Sequence, residues 1–211
     1  MIFRCAIVSA TLACLAAPVV ADGVRDLQKI EASRVLYEDG VQNKDALLVI
    51  AAAKLRRSVG LLPTDRSPEE ADAEPGDATD HIGWMAMLDT AKSYSVGDDL
   101  MLGLIEDIES ETTKGVVNGP VFNVGRVDAK RSHTYRSVPF DGSKYAEIYI
   151  EAKGSNDLNL YIYDAQDRLV CSDTDNSAIA YCGWTPRATA NFSIKVSNES
   201  SARAQYSLIT N

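Results

Sequence analysis

Histidine and tryptophan are scarce in this chain, with two of each among 211 residues, and there are only four cysteines. The two histidines, His81 and His133, lie far apart and form no HExxH pair for a catalytic zinc. GxSxG, a phosphate-binding P-loop and a dinucleotide fingerprint are also missing. A triad built on His133 can be drawn from the abundant Ser and Asp, but nothing in the sequence selects its partners. The expectation is therefore a protein that is not an enzyme. Basic charge is short as well: 21 Lys and Arg stand against 30 Asp and Glu, for a net charge of −9. Such a surface repels phosphate backbones and anionic lipid, so nucleic acid is not an expected partner.

Long apolar runs are confined to the start. Residues 5–20 are small and apolar but are interrupted by Ser9, Thr11 and Pro18, which argues against stable membrane insertion. Arg4 precedes the run, and Val19-Val20-Ala21 follows with small residues where a signal peptidase reads. The expectation is a signal peptide over 1–21, cleaved before Asp22, and a soluble protein in the bacterial periplasm or outside the cell. Lipidation at Cys14 is the less favoured reading, because Thr11-Leu12-Ala13 lacks the leucine expected at its first position. Cleavage removes Cys5 and Cys14 and leaves Cys171 and Cys182, which in an exported protein most simply form a disulfide.

Residues 22–114 read as a small all-α unit of helical hairpins. Leu27, Ile30, Arg34, Val35 and Tyr37–Glu38 follow an amphipathic helical spacing, with Gly40 as a stop. Asn43 can cap a second helix whose centre, Ala46 to Leu55, is apolar on most faces. Residues 63–80 are acidic, rich in Pro and Ala and free of aromatics, so they predict a flexible excursion. Helical spacing resumes at Ile82, Trp84–Met85 and Leu88, and again at Leu100, Leu104, Ile105 and Ile108. Such a unit is either a plain antiparallel bundle, the favoured reading, or a peptide-binding groove. The carboxylates Glu106, Asp107, Glu109 and Glu111 fit the solvated face of its last helix.

KGVVNGP carries two Gly and one Pro where helical periodicity gives way to alternation, so 115–120 reads as a linker. From Val121 the chain offers about eight short strands at regular spacing, the pattern of an all-β sandwich or jelly roll. Its apolar face includes Leu158, Leu160, Ile162, Phe192, Ile194 and Val196. The fold class expected is α+β in two domains: the helical unit, then a β-sandwich over 121–211. If the strands around SDTDNS pair, Cys171 and Cys182 face each other across a hairpin.

DLNLYIYDAQDRLVCSDTD, then Trp184-Thr185-Pro186, then NFSIKVSNESSARAQYSL, resembles the bacterial pre-peptidase C-terminal domain. The likeness covers about residues 120–211. It implies a jelly-roll sandwich that assists secretion or binds macromolecules beside a secreted protease. The helical region here is short and has no protease signature, so protease activity is not carried over. Some members of that family bind calcium, and Asp157, Asp173 and Asp175 are the oxygen-bearing candidates, although they match no EF-hand loop. No cofactor other than calcium is expected. The expected partner is a protein or an extracellular polymer, and Tyr149, Tyr161 and Tyr163 are candidate aromatic contacts for the latter. The overall expectation is an exported, non-enzymatic accessory or binding protein with a helical protein-interaction unit and a jelly-roll module; polymer or carbohydrate binding is the alternative, and a hydrolase with a cryptic site the weaker one.

Overall fold

The computed structural model describes residues 23–70, 73–111 and 119–211. The expected signal peptide over 1–21 and most of the linker over 115–120 lie outside the described residues. Four helices come first: α1 (Gly23–Asn43), α2 (Ala46–Arg57), α3 (Trp84–Tyr94) and α4 (Asp99–Ser110). The second helix is capped by Asp45, whose carboxylate accepts from Leu48 N at 3.1 Å, rather than by Asn43, which ends α1. Asp98 caps α4 in the same way, accepting from Leu100 N and Met101 N. Gly40 does not stop α1. A Cβ there would stand 2.7 Å from Val49 Cγ2, so glycine lets α1 and α2 approach closely. The helices share a core of Val49, Ile50, Met87, Leu88, Ala91, Ile105 and Ile108.

Among the described residues ten strands form two sheets. One contains β1 (Leu62–Pro63), β3 (Val121–Val127), β10 (Ala204–Thr210), β5 (Ala146–Ala152) and β8 (Ile179–Trp184) in that order, with β2 (Glu74–Pro75) also on β3. The other runs β4 (Ser132–Phe140), β9 (Ala190–Asn198), β6 (Leu158–Tyr163) and β7 (Leu169–Asp173). Leu158, Leu160, Ile162, Ile194 and Val196 meet Ile148, Ile150, Leu208 and Tyr206 between them. The structure is thus α+β with a β-sandwich.

The helices do not stand apart from that sandwich. Leu27 and Ile30 of α1 and Val59 pack on Phe122, Val124, Tyr149 and Ile209, which point outward from the first sheet. Alternation in β5 therefore has no solvent side: all seven of its residues are buried.

The 63–80 segment departs most from expectation. Instead of leaving the fold, its described residues strap one edge strand of each sheet, β3 and β4. Thr64 N donates to Phe122 O at 2.8 Å and Gly76 N to Val124 O at 3.0 Å, covering the free edge of β3. Between them Glu69 N donates to Thr134 O at 2.8 Å, and the Glu70 carboxylate accepts from Thr134 N at 2.9 Å on the edge strand β4. Main-chain pairing, which composition does not report, replaces the missing apolar burial.

Candidate functional site

On α1, Arg34, Tyr37, Glu38 and Val41 recur at the three- and four-residue intervals that place side chains on one helical face. That face forms one wall of a groove of about 490 Å3. Thr79, His81 and Ile82 form its end, Ala86 of α3 its far side, and Lys153 and Gly154 of the β5–β6 turn its lip. The volume falls in the range of small-ligand pockets, roughly 300–1,000 Å3. Arg34 is buried, and its Nε donates to Glu38 Oε1 at 2.7 Å, so its charge is already answered. Tyr37 and Thr90 hold each other through their hydroxyls at 3.2 Å. His81 Nδ1 lies 2.8 Å from Ala78 O, and its ring centroid is 4.4 Å from that of Phe122. Burial pushes the His81 imidazole below its ordinary pKa, so the ring is neutral at pH 7. The groove thus has apolar side chains in its lining, a satisfied ion pair in one wall, a neutral ring at one end and one exposed lysine at the lip.

None of the sequence-derived candidates lines this groove. Cys171 and Cys182 are joined, with Cα atoms 5.9 Å apart. They do not sit in one hairpin: β7 and β8 are the edge strands of opposite sheets, and the bond ties the sandwich shut on the side away from the 63–80 strap. Tyr149 is a correction. It was expected to be exposed, but it is fully buried because α1 covers its side of β5. Tyr161 and Tyr163 lie half-buried on the outer face of the second sheet, with Lys195 Nζ 5.9 Å from the Tyr161 ring centroid. Of the calcium candidates, Asp173 Oδ2 accepts from Tyr181 N at 2.9 Å and Asp175 is exposed. Asp157 keeps one buried carboxylate oxygen without a partner. Among the described residues no three His, Cys, Asp or Glu side chains converge on a metal position. His133, for which the sequence selects no triad partners, is buried, with Nδ1 2.9 Å from the Tyr206 hydroxyl.

No family model matches the chain, and no curated protein matches it. Solved structures do. The pre-peptidase C-terminal domain of a collagenase from Bacillus anthracis is 12% identical, over 43% of this chain and 87% of its own, at a TM-score of 0.35. A periplasmic inhibitor of g-type lysozyme from Aeromonas hydrophila is 13% identical, over 44% and 84%, at 0.33. The C-terminal carbohydrate-binding module of a laminarinase from Zobellia galactanivorans is 9% identical, over 48% and 86%, at 0.28. Each likeness is confined to less than half of this chain. No helix among the described residues is long and apolar enough to cross a membrane.

Proposed function

We propose that this chain is an exported, non-catalytic binding protein that takes a peptide segment of a protein partner into the groove between α1 and the β5–β6 turn. The observation that carries this reading is the make-up of the groove. Tyr37, Val41, Ile82 and Ala86 give the groove an apolar lining, while Arg34 is already neutralised by Glu38. Lys153 at the lip is exposed and has no carboxylate within 4 Å among the described residues. An apolar side chain followed by an acidic one matches that sequence of surfaces. Export is supported by the Cys171–Cys182 bond, which is stable in oxidising compartments. The jelly-roll and pre-peptidase-like reading of 121–211 belongs to this proposal.

Selection from a displayed peptide library tests it. The protein should enrich sequences pairing an apolar residue with an acidic one, and Ala86→Trp, which fills the groove, should remove that enrichment. Enrichment that survives Ala86→Trp, or no enrichment at all, rejects the reading.

A second reading places an extracellular polymer on the outer face of the second sheet. Register lines up Thr134, Lys195, Tyr161 and Ser172 across four strands, with Ser193 beside Tyr163. Two half-buried rings among hydroxyls and one cation suit a sugar chain. Retention on a polysaccharide or peptidoglycan resin that is lost in Tyr161→Ala/Tyr163→Ala would favour this face over the groove.

A further inference from the structure

The helices alternate in direction, so α1 and α3 end where α2 and α4 begin. Lys44 and Asp45 alone separate α1 from α2. Arg57, the last residue of α2, lies over the ring of Trp84, the first residue of α3, 4.5 Å from its centroid, so α3 runs back along α2. Tyr37 and Thr90 meet through their hydroxyls, as expected when α1 and α3 run the same way. A tight turn over Ser95–Asp98 then reverses the chain into α4.

This end presents apolar side chains to solvent. Val96 is 88% exposed, Leu100 71% and Leu47 53%, and the first two exceed every other large apolar residue described. Leu100 belongs by spacing to the apolar stripe of α4, yet Ile105 and Ile108 are buried and Leu100 is not. Val96 is held rather than loose. Asp98 N donates to Ser95 O at 3.0 Å, Gly97 takes the φ of 82° that closes the turn, and the buried Ser95 hydroxyl donates to Ala91 O at 2.9 Å.

The rim is acidic. Asp39, Asp45, Asp98 and Asp99 are exposed at this end against Lys44, and none of these residues forms an ion pair among the described residues. Asp45 and Asp98 are partly answered by the helix amides they cap, whereas Asp39 and Asp99 cap nothing. Lys92, in the last turn of α3, is taken up by Glu109 at 2.6 Å.

We propose that this end of the helices is a docking surface for a partner-protein segment in which apolar side chains are flanked by lysine or arginine. Leu47, Val96 and Leu100 supply the apolar contact, and the carboxylate rim selects the basic flanks. A second copy of this chain would bring the same carboxylates face to face, and anionic lipid would meet the same repulsion. The surface is independent of the groove beside α1, which asks for an acidic neighbour to its apolar residue where this one asks for a basic neighbour.

The test follows the backbone amide signals of the full chain by 1H–15N NMR. The probe is a short acetylated and amidated peptide of leucine pairs flanked by lysines, with glutamate-for-lysine and serine-for-leucine versions as controls. Saturable shifts are expected at residues 44–47 and 95–100, with both controls weaker by about tenfold or more. Val96→Ser/Leu100→Ser should weaken binding about tenfold with an unchanged thermal melt, because both side chains are exposed. Asp39→Asn/Asp99→Asn leaves both caps in place and should weaken binding several-fold while flattening its salt dependence. Absence of saturable shifts, equal binding of either control, or binding that survives Val96→Ser/Leu100→Ser overturns the proposal. Shifts confined to Tyr37, Val41 and Ala86 overturn it too, by moving the basic segment to the groove. So does a dimer in sedimentation equilibrium, or adsorption to phosphatidylcholine vesicles, that Leu100→Glu abolishes: the first puts a second copy on this surface, the second a membrane.

Discussion

Arg56 of α2 and Glu151 of β5, 95 residues apart, form an ion pair whose side chains are 1% and 0% exposed. The second carboxylate oxygen accepts from Arg56 Nη2 at 3.0 Å. The same guanidinium donates to Ser33 Oγ at 2.8 Å, Ile82 O at 2.9 Å and Ile30 O at 3.2 Å. One side chain therefore ties α1, α2, the segment before α3 and the first sheet together. Its donors are satisfied, so the pair fixes how the helices sit on the sandwich more than it adds net stability.

Removing one member strands the other in a dry site. Glu151→Gln or Arg56→Met should each cost about 3–5 kcal/mol in urea unfolding, the range for breaking a buried ion pair. The double variant Arg56→Met/Glu151→Met should lose less than the sum of the two. Additive losses would mean that the two side chains act independently.

A second acid on β5 responds to pH. Glu147 is fully buried, and Oε1 accepts from the Tyr181 hydroxyl at 2.8 Å while Oε2 has no partner. Burial, reinforced by Asp26 of α1, raises its carboxyl from 4.5 to about 7, against the opposing hydrogen bond from Tyr181. Because the folded pKa lies above the unfolded one, its contribution to stability is complete below the unfolded value. That contribution is lost as pH rises through the folded value. The melting temperature should therefore carry a component that falls between about pH 4.5 and about pH 7. Glu147→Gln, which keeps an acceptor for Tyr181 without a proton to lose, should flatten it. A profile identical in the two proteins would contradict the assignment.

The Cys171–Cys182 bond closes a short loop, with a sequence separation of 11. Restricting the unfolded chain over that length is worth about 2–3 kcal/mol. Cys171→Ser/Cys182→Ala should lose that much in urea, and reductant should lower the wild-type midpoint but not that of the double variant. Because the bond joins edge strands of opposite sheets, the loss should also appear as faster amide exchange in β7 and β8.

Much of this architecture is written in local sequence. Asp98 before Leu100, the spacing of Leu104, Ile105 and Ile108, and the alternation through Leu158, Leu160 and Ile162 each specify an element from adjacent residues alone. What escaped depends on partners distant in the chain. Tyr149 sits on the polar-alternate side of β5, and only the arrival of Leu27 and Ile30 buries it. The strap lacks apolar residues because its hold is main-chain pairing to residues 122–134, a relation that composition cannot express. In the groove, Arg34 and Tyr37–Glu38 follow helical spacing in the sequence, but the stop expected at Gly40 leaves out Val41, and the opposite wall comes from Ala86 and Lys153.

The strap's seating depends on Gly76. A Cβ at that position would stand 2.3 Å from Val124 Cγ1 and 2.8 Å from Val124 Cβ, with the Gly76 N–H bonded to Val124 O at 3.0 Å. Side chain and hydrogen bond cannot both be accommodated, so Gly76→Ala must lift the segment from β3 or displace Val124 inward. The expected cost is about 1–3 kcal/mol, as for other overpacked sites. Lifting also frees the chain around Arg66, whose half-buried side chain is otherwise shielded from trypsin. Cleavage between Arg66 and Ser67, followed by mass spectrometry under native conditions, should therefore speed up in Gly76→Ala while sites within α2 and the second sheet stay protected. If cleavage at Arg66 is unchanged, the close approach at Gly76 does not hold the strap, and the pairing at Thr64 and Glu69 suffices without it.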